Sequence, residues 1–367
     1  MKKKTPKNTF SSSDVAYMAH ALSLADRVKG TTNPNPAVGA VIVKKGKIIG
    51  EGATAPVGGP HAEIVALGQA GTSARGATLY VTLEPCNHHG RTPPCTDSII
   101  AAGISRVVVA CVDENPRVGG KGLTHLSDNG IDVSCGLLTD SALRRNEDFF
   151  YSIKTHKPWI TLKLALTLDG RVADANGESK WITGVAARTL VHDLRRCHTA
   201  VAVGSGTLRA DNPELTVRLV KGRSPVRIIL ASTSRVPKTS HFVTGAKKIR
   251  SIIVVPGAVQ KKKTHTDGYE IWTTGQRDRV KSFEAFLKMA YQEHLTSILF
   301  EGGAGLGSFL LEHDFVNRLY LFYGNKIIGG GLNGIGFLRS LQMKNALELK
   351  DIEIGAVDEA VMVTGKL

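Results

Sequence analysis

Four residues in the first third of the chain have the types and spacing of a catalytic zinc site. His61 offers an imidazole, Cys86 and Cys95 offer two thiols, and Glu63 places a carboxylate two residues beyond the imidazole. Three protein ligands leave the fourth position of a tetrahedral zinc ion open to water, as in catalytic rather than structural sites. The metal would acidify that water, and Glu63 could accept its proton and pass it to a leaving amine or ring nitrogen.

The spacer between the two cysteines is eight residues long, where zinc nucleobase deaminases commonly have two. Its prolines and glycine constrain a loop beside the metal, and His88, His89 and Arg91 supply donors that could hold a ring edge or a phosphate. Two alternatives stay open at this point. The cysteines and Glu63 could be a buried thiol pair and a helix cap, or His88 or His89 could replace a cysteine as ligand.

Rigid elements must position these residues, and the surrounding sequence predicts alternating strands and helices. A helix over 60–70, with Pro60 in its first turn, would carry His61 and Glu63 at its start. A strand over 78–83 leads to the first cysteine, and a helix over 96–102 follows the second. Such alternation is typical of a parallel α/β sheet with helices on its faces, and helix N-termini favour thiolates.

Two further patterns flank the site. Ser13 suits the cap of an amphipathic helix near the N-terminus, and Lys45-Gly46 is typical of a hairpin turn. After the site, a connecting helix over 140–151 precedes a β-rich run over 159–166.

The second half of the chain contains a strand, a glycine-rich turn and a helix start in succession. The strand over 297–300 leads into residues 301–307 (EGGAGLG), and a helix opens over 308–312. Glycines let the backbone N–H groups approach an anion, so this arrangement could bind phosphate, although a tight turn alone would have the same sequence. The turn follows a late strand, whereas the Rossmann fingerprint follows the first strand of its domain, so a different dinucleotide fold is indicated.

Composition narrows the class of protein. The chain has 367 residues, with 42% hydrophobic and 22% charged, as in soluble proteins of two or three domains. Its net charge of +15 could serve nucleic-acid binding, binding of an anionic small substrate, or solubility. We favour the small substrate, because the sequence contains no arginine-rich helix or aromatic–basic platform. No apolar stretch could span a membrane and no signal-peptide core follows the lysine-rich start, so a cytoplasmic protein is expected. Cys111, Cys135 and Cys197 are expected to be buried or inert thiols.

The zinc motif resembles the signature of the bifunctional riboflavin-biosynthesis deaminase–reductase family over residues 83–95 (LEPCNHHGRTPPC). Residues 33–39 (NPNPAVG) and 61–63 (HAE) match it as well, while Asn87 replaces the usual serine. The resemblance implies a cytidine-deaminase-like domain that deaminates 2,5-diamino-6-hydroxy-4-(5-phosphoribosylamino)pyrimidine and releases ammonia. It makes Asn35 and His88 candidate substrate contacts.

The resemblance continues through the second half, so it covers nearly the whole chain. It is carried by residues 163–171 (KLALTLDGR), 177–183 (GESKWIT), 207–213 (TLRADNP), 215–218 (LTVR) and the turn at 301–303. It implies a domain similar to dihydrofolate reductase in fold, which uses NADPH to reduce the ribosyl group of the deaminated intermediate to a ribitylamino product.

The resemblance also implies roles for individual residues of the second half. The positions that match cofactor contacts are Ala165, Trp181, Thr207, Asp211, Ser232, Gly303, Ala304, Gly305, Leu306, Gly307, Ser308 and Phe309. The positions that match substrate contacts are Ser179, Arg195, Leu215, Arg218 and Glu301. In physical terms, Arg195 and Arg218 could grip the ribose phosphate as guanidinium forks, and Trp181 could form a wall against the nicotinamide. Both Asp211 and Lys163 could assist with the proton.

The sequence therefore predicts an α/β protein with an N-terminal cytidine-deaminase-like α/β/α domain and a C-terminal dihydrofolate-reductase-like α/β domain. Residues 1–145 would form the zinc-dependent pyrimidine deaminase and residues 146–367 the NADPH-dependent reductase. We expect one Zn²⁺ per chain, NADPH, small phosphorylated pyrimidine substrates and a homo-oligomer, either a dimer or a tetramer, with neither nucleic acid nor membrane as partner. The rival hypotheses are a nucleic-acid-editing deaminase with a basic binding domain, which the charge favours, and an inactive zinc scaffold, which would not need Glu63.

Overall fold

The computed structural model describes residues 10–88, 93–115, 119–257, 262–336 and 341–367. Contacts divide the chain into two compact units, Met1–Thr155 and His156–Leu367. Residues 146–155 lie in the first unit, because Lys29 pairs with Asp148 at 2.9 Å and Phe150 is part of its hydrophobic core. The predicted boundary after residue 145 thus falls between the last two helices of that unit.

The first unit is built from short helices and strands that alternate along the chain. Its helices are α1 (Ser12–Val28), α2 (Ala62–Ala70), α3 (Cys95–Ala101), α4 (Lys121–Asp128), α5 (Thr139–Arg145) and α6 (Glu147–Thr155), with a 3₁₀ turn at Gly71–Ala74. Its strands are β1 (Gly39–Lys44), β2 (Lys47–Ala53), β3 (Thr78–Val81), β4 (Arg106–Val109) and β5 (Asp132–Cys135).

The sheet of the first unit has the order β2-β1-β3-β4-β5. The sequence analysis predicted a parallel sheet, but this sheet is mixed. The strands β3, β4 and β5 are parallel, but β1 runs antiparallel to both β2 and β3. The predicted hairpin at Lys45-Gly46 explains the difference, because both residues have positive φ and reverse the chain directly into β2.

Helices cover both faces of this sheet, and glycines permit their close approach. A Cβ on Gly39 would lie 1.9 Å from the carbonyl oxygen of Ala21 in α1, and one on Gly52 would lie 2.1 Å from that of Ala62 in α2. The two glycines belong to adjacent pairs of the β1–β2 ladder, so they point to opposite faces. The first unit is therefore an α/β/α layer structure.

The second unit is larger and contains most of the strands. Its helices are α7 (Val185–Cys197), α8 (Ser205–Asp211), α9 (His241–Thr244), α10 (Arg279–Gln292) and α11 (Ala304–Glu312), with a 3₁₀ turn at Met343–Asn345. Its strands are β6 (Trp159–Leu166), β7 (Arg171–Ala173), β8 (Ala200–Gly204), β9 (Val226–Leu230), β10 (Ser251–Val255), β11 (Lys262–Thr266), β12 (Tyr269–Thr273), β13 (Ser297–Glu301), β14 (Arg318–Tyr323), β15 (Leu332–Asn333), β16 (Lys350–Val357) and β17 (Ala360–Lys366).

The main sheet of the second unit has the order β11-β12-β10-β9-β8-β13-β6-β14-β17-β16, and β15 pairs separately with β7. The strands from β12 to β14 in this order are parallel, and antiparallel strands complete both edges. The carboxyl ends of the parallel strands therefore meet along one edge, which is where open α/β sheets bind ligands.

Three predicted elements differ from the structure. The cap of α1 is Ser11 rather than Ser13, and it forms a capping box with Asp14. The connecting helix breaks at Asn146, whose buried side chain bonds the N–H and C=O of Ala37 instead of continuing the helix. The helix after the glycine turn begins at Ala304, not at residue 308, so most of the predicted turn is helical. Within the described residues, no helix has the length and hydrophobicity needed to cross a membrane.

Candidate active sites

The start of α2 carries the first half of the predicted zinc site. His61 is the N-cap residue of α2, where its backbone is extended and its side chain makes no capping hydrogen bond. Glu63 lies in the first turn and is only 4% exposed. Gly52 lets α2 approach β2 closely, which fixes the start of the helix that carries both side chains.

The two cysteines reach the same place from the next strand and helix. Cys86 follows β3, and Cys95 is the first residue of α3. The backbone N–H of Cys95 donates to the Sγ of Cys86 at 3.4 Å, and the N–H of Thr96 donates to the carbonyl of Cys86. The start of α3 thus holds Cys86 beside Cys95. A helix start directly after the second cysteine was predicted from the sequence.

The described residues contain one group of side chains that could hold a metal ion, and it consists of His61, Cys86 and Cys95. The Nδ1 atom of His61 lies 3.2 Å from the Sγ of Cys95 and 3.6 Å from the Sγ of Cys86. Tetrahedral zinc with ordinary bond lengths would place such atoms roughly 3.6 Å apart, so the donor set fits the ion. His88 is not part of this group, while His89 lies outside the described residues.

The protonation of the site suits both metal binding and proton transfer. The hydrogen bond from Cys95, with a smaller effect of His61, lowers the pKa of the Cys86 thiol, whereas the same hydrogen bond and burial raise the pKa of Cys95. The two sulfur atoms therefore share a proton, which metal binding would release. Burial raises the pKa of Glu63 to about 7, against smaller opposing effects that include the charge of His61. A carboxyl group with such a pKa can both accept and donate a proton near neutrality.

Glu84 is a part of this site that the sequence did not identify. It is 4% exposed and accepts hydrogen bonds from the backbone N–H groups of Asp113, Gly120 and Gly122 at 3.1, 2.9 and 2.9 Å. It therefore fixes the segment before α4 against the strand end that bears Cys86. The only signal in the sequence is its place in the motif, two residues before the cysteine.

The predicted substrate loop of the deaminase is described in part. His88 is exposed and Asn35 is half-buried after the turn that follows α1, whereas residues 89–92, including Arg91, lie outside the described residues. The contacts of this loop with a substrate stay a prediction.

A cavity of about 1380 Å³ opens at the carboxyl ends of the parallel strands in the second unit. It brings together nearly all the residues predicted there, although they come from distant parts of the sequence. Those in its wall are Lys163, Ala165, Ser179, Trp181, Arg195, Thr207, Asp211, Leu215, Arg218, Ser232, Glu301, Gly303, Ala304, Gly305, Leu306 and Phe309.

Two predicted cofactor residues are not part of the cavity wall. Gly307 faces the core, where a Cβ would lie 3.5 Å from Leu164. Ser308 is buried, and its hydroxyl accepts the backbone N–H of Gly336 at 3.0 Å. Both differences follow from the early start of α11, since one face of a helix must pack on the sheet.

The N-terminus of α11 gives the cavity an anion-binding feature. Gly303 is the N-cap residue and has no side chain, so the first N–H groups of the helix are open to the cavity. The Oγ1 of Thr207 lies 3.9 Å from where a Cβ of Gly303 would be, which brings the first turn of α8 beside this turn.

Arg195 and Glu301 form an ion pair in the wall of the cavity. The pair is bidentate, with one contact of 2.8 Å between Nη2 and Oε2, and both side chains are nearly buried, at 11% and 12% exposed. Arg195 also donates to the carbonyl of Thr216 at 2.9 Å. Burial alone would raise the pKa of Glu301, but Arg195 and Lys163 outweigh it and lower the pKa. The carboxylate therefore stays charged.

The segment after α8 supplies the other predicted substrate residues. Leu215 is 2% exposed and has a φ of 55°, so packing holds this residue in a left-handed conformation. Arg218 is half-exposed and pairs with Glu214 at 2.9 Å. Trp181, across the cavity, is 59% exposed, and its carbonyl accepts from Lys326 at 2.9 Å.

Comparison with known proteins accounts for both units. Residues 11–111 match the cytidine and deoxycytidylate deaminase zinc-binding region, and residues 158–363 match the RibD C-terminal domain. The riboflavin biosynthesis protein RibD of Aquifex aeolicus is 44% identical over 353 residues, covering 95% of this chain and 97% of its own. The chain belongs to the RibD family. RibD of Escherichia coli is 40% identical and covers 93% of this chain and 96% of its own.

Solved RibD structures share the fold over the whole length. A deaminase/5-amino-6-(5-phosphoribosylamino)uracil reductase from Thermotoga maritima is 37% identical, with a TM-score of 0.84, covering 96% of this chain and 98% of its own. RibD of Acinetobacter baumannii is 35% identical to this chain, with a TM-score of 0.83, and it covers the same shares of the two chains. The predicted fold class, with a cytidine-deaminase-like domain followed by a dihydrofolate-reductase-like domain, is confirmed. This RibD chain is a bifunctional deaminase–reductase of riboflavin biosynthesis, with a zinc-binding deaminase region and a reductase domain of the NADP-binding kind.

Proposed function

We propose that the first unit deaminates 2,5-diamino-6-hydroxy-4-(5-phosphoribosylamino)pyrimidine to 5-amino-6-(5-phosphoribosylamino)uracil and ammonia. The second unit then reduces the ribosyl group of that product with NADPH. The observation that carries the proposal is the convergence of His61, Cys86 and Cys95 beside the buried Glu63. The Thermotoga maritima relative, a diaminohydroxyphosphoribosylaminopyrimidine deaminase/5-amino-6-(5-phosphoribosylamino)uracil reductase, supports the substrate assignment.

The residues of the deaminase site have separate tasks. When bound by the imidazole and the two thiolates, one zinc ion per chain supplies a Lewis acid that acidifies water. The carboxylate of Glu63 accepts one proton from the attacking water and donates it to the ring nitrogen as the C–O bond forms. It then carries the remaining hydroxyl proton to the amino group, so the C–N bond breaks, ammonia departs and a carbonyl remains. Burial raises the pKa of Glu63 above the usual range of a glutamate, which suits a carboxyl group that must both accept and donate a proton.

The residues of the reductase cavity would bind and orient two ligands. NADPH, when bound, supplies a hydride for C1′ of the opened ribose. The open N–H groups after Gly303 suit the cofactor pyrophosphate, and the exposed ring of Trp181 suits a wall for the nicotinamide. The charged carboxylate of Glu301 can accept hydrogen bonds from sugar or base.

Of the two residues considered for proton assistance, Lys163 is better supported than Asp211. Both line the cavity, but burial lowers the pKa of Lys163 while the charge of Glu301 opposes that effect. A lysine with a lowered pKa releases a proton more readily at neutral pH. We propose that the Nζ of Lys163 supplies the proton in the reduction.

We also propose a homo-oligomer, a dimer or a tetramer, that forms through the outer edge of β16. Among the described strands, β16 ends the main sheet and pairs only with β17. Ile352 and Ile354 on it are 55% and 72% exposed. Light scattering should show a smaller assembly for Ile354→Lys, and an unchanged mass would reject this edge.

The remaining finer assignments stay predictions. They are the division of function between residues 1–145 and 146–367, the individual cofactor and substrate residues, and the cytoplasmic location.

The two halves of the proposal can be tested separately on the purified chain. Zinc analysis and an ammonia assay with the diaminopyrimidine phosphate test the first, and NADPH oxidation on supplied aminouracil phosphate tests the second. A chelator should abolish ammonia release and leave NADPH oxidation unchanged. A zinc-loaded chain that releases no ammonia would reject the deaminase assignment, and a failure to oxidise NADPH would reject the reductase assignment.

A further inference from the structure

The exposed ring of Trp181 stacks on the side chain of Arg188 in the reductase cavity. The guanidinium carbon of Arg188 lies 4.0 Å from the centre of the ring. This distance is typical of a cation–π contact, in which the guanidinium plane covers one face of the aromatic system. Trp181 is still 59% exposed, and both residues line the cavity. The uncovered part of the ring is therefore open to a second flat group.

The backbone on both sides of this stack is held in place. Arg188 belongs to the first turns of α7. The carbonyl of Trp181 accepts a hydrogen bond from the Nζ of Lys326 at 2.9 Å. Gly324, which follows β14, has no room for a Cβ beside the carbonyl oxygen of Ile182, so the chain packs directly against the segment that carries the ring. The ring and the guanidinium are thus oriented before any ligand binds.

The charge of Arg188 is not neutralised by a protein partner. Its Nε is buried without a hydrogen bond, and in the part of the chain that the structure describes no carboxylate pairs with it. Two other arginines of the cavity differ in this respect, because Arg195 pairs with Glu301 and Arg218 pairs with Glu214 at 2.9 Å. A full positive charge therefore lies against the covered face of the Trp181 ring.

We propose that Arg188 makes the cavity distinguish the two redox states of the cofactor, so that NADPH binds more tightly than NADP⁺. The inference rests on the proposed function, in which the Trp181 ring is a wall for the nicotinamide. The reduced nicotinamide is neutral, and loss of its hydride to C1′ of the opened ribose leaves the ring with a positive charge. A cation behind Trp181 repels the oxidised ring on the open face and has no such effect on the reduced ring.

The geometry sets the size of this effect. A nicotinamide stacked on the open face would lie roughly 8 Å from the guanidinium, which is the sum of two stacking distances. Two unit charges at that separation, in a site partly open to water, repel enough to change an affinity about tenfold. The paired arginines contribute less, because each has a carboxylate beside it. Arg188 is therefore expected to determine redox-state specificity and to help the oxidised cofactor leave.

Equilibrium binding to the zinc-loaded, full-length chain tests this inference without turnover. NADPH is titrated by its own fluorescence, and NADP⁺ is measured by displacement of NADPH. The variants are Arg188→Gln and Arg188→Lys, and a thermal melt reports on folding. One control is Arg218→Gln, which removes a cavity arginine that is paired with a carboxylate. The other is Arg209→Gln, an exposed position on α8 outside the cavity wall.

The wild type should bind NADPH more tightly than NADP⁺, and Arg188→Gln should reduce this ratio of affinities about tenfold. Arg188→Lys should keep most of the ratio because the charge stays, and both controls should leave it nearly unchanged. Binding of 2′-phospho-ADP-ribose, which lacks the nicotinamide, should differ little between the wild type and Arg188→Gln.

Equal affinities for the two forms in the wild type, an unchanged ratio in Arg188→Gln, or an equal change in Arg218→Gln would overturn the inference. The proposed function fails separately, if the wild type and Arg209→Gln neither bind NADPH nor oxidise it on supplied aminouracil phosphate.

Discussion

At the scale of single residues, burial decides what the ionisable groups of both sites can do. Glu63 is 4% exposed and lies in an environment that keeps part of its population protonated near neutral pH. Glu301 is also nearly buried, but the Arg195 guanidinium beside it outweighs the desolvation and keeps it charged. The pKa values of two largely buried glutamates thus shift in opposite directions, because Glu301 has a bidentate guanidinium partner and Glu63 does not.

The role of Glu63 as proton shuttle gives a sharp expectation for Glu63→Gln. The amide has nearly the same size but cannot accept the proton, so deamination should fall by about a hundredfold or more while zinc stays bound. Reduction of supplied aminouracil phosphate should be unchanged. The measurement is ammonia release with zinc content determined on the same sample.

Arg218→Gln is the matched variant for the second site and should show the reverse pattern, with reduction impaired and deamination intact. Loss of both activities in either variant, in a protein that still melts cooperatively, would contradict the presence of two separate sites.

The sequence predicted the residues of a site where a recognisable motif contains them. It did not predict contacts between residues that lie far apart along the chain. The group of His61, Cys86 and Cys95 was predicted from its spacing and is brought together in the structure. The pairing of Arg195 with Glu301 spans 106 residues of sequence, so no local pattern predicts it.

At the scale of secondary structure, close packing of helices on the sheet positions the zinc ligands. The contact of Gly52 with Ala62 is the tightest constraint on α2, the helix that carries both His61 and Glu63. Helix existence was predicted well from caps and periodicity, but helix starts were less certain. The start of α11 was misplaced because glycines were interpreted as a turn, although the helix tolerates them there through its packing on the sheet.

Gly52→Ala should therefore damage the deaminase without touching the reductase. The new Cβ would lie 2.1 Å from the carbonyl oxygen of Ala62, so the start of α2 must shift away from β2. We expect a loss of about 1–3 kcal/mol in unfolding free energy and weaker zinc binding, measured by denaturation and metal analysis. Gly68→Ala is the control, since a Cβ there meets nothing within 4 Å; equal damage from both would disprove the packing argument.

Asp14 ties α1 to the sheet and should make the first unit sensitive to acid. It is 5% exposed, accepts from Tyr80 and Arg106 at 2.7 and 2.8 Å, and completes the capping box with Ser11. Burial opposes its ionisation, but these hydrogen bonds prevail and lower its pKa below the usual range. Its contribution to stability is therefore complete above about pH 4, the ordinary pKa of an unfolded aspartate, and is lost as the pH falls below that.

Asp14→Asn should lower the unfolding free energy of the first unit by about 2–4 kcal/mol at neutral pH. The difference from the wild type should shrink as the pH drops below about 4, when followed by urea denaturation at several pH values. Asp128→Asn, on an exposed helix end, serves as control. A difference that stays constant down to pH 2 would show that the charge of Asp14 is not responsible.

At the scale of the whole molecule, two units with separate cores carry two consecutive reactions on one chain. The zinc group lies within the first unit and the large cavity within the second, and the family shows the same order over its full length. Motif order along the sequence was enough to predict this arrangement. The mixed sheet of the first unit and the strands from β14 to β17 were not predicted, because edge pairing depends on contacts that periodicity does not encode.

The most direct test of this account is a single time course with the diaminopyrimidine phosphate, NADPH and the zinc-loaded chain, following ammonia and NADPH together. The account predicts one ammonia released and one NADPH oxidised per substrate, with ammonia appearing first and Glu63→Gln abolishing both signals unless aminouracil phosphate is supplied. NADPH oxidation that precedes ammonia release, or that persists in Glu63→Gln without added intermediate, would contradict it.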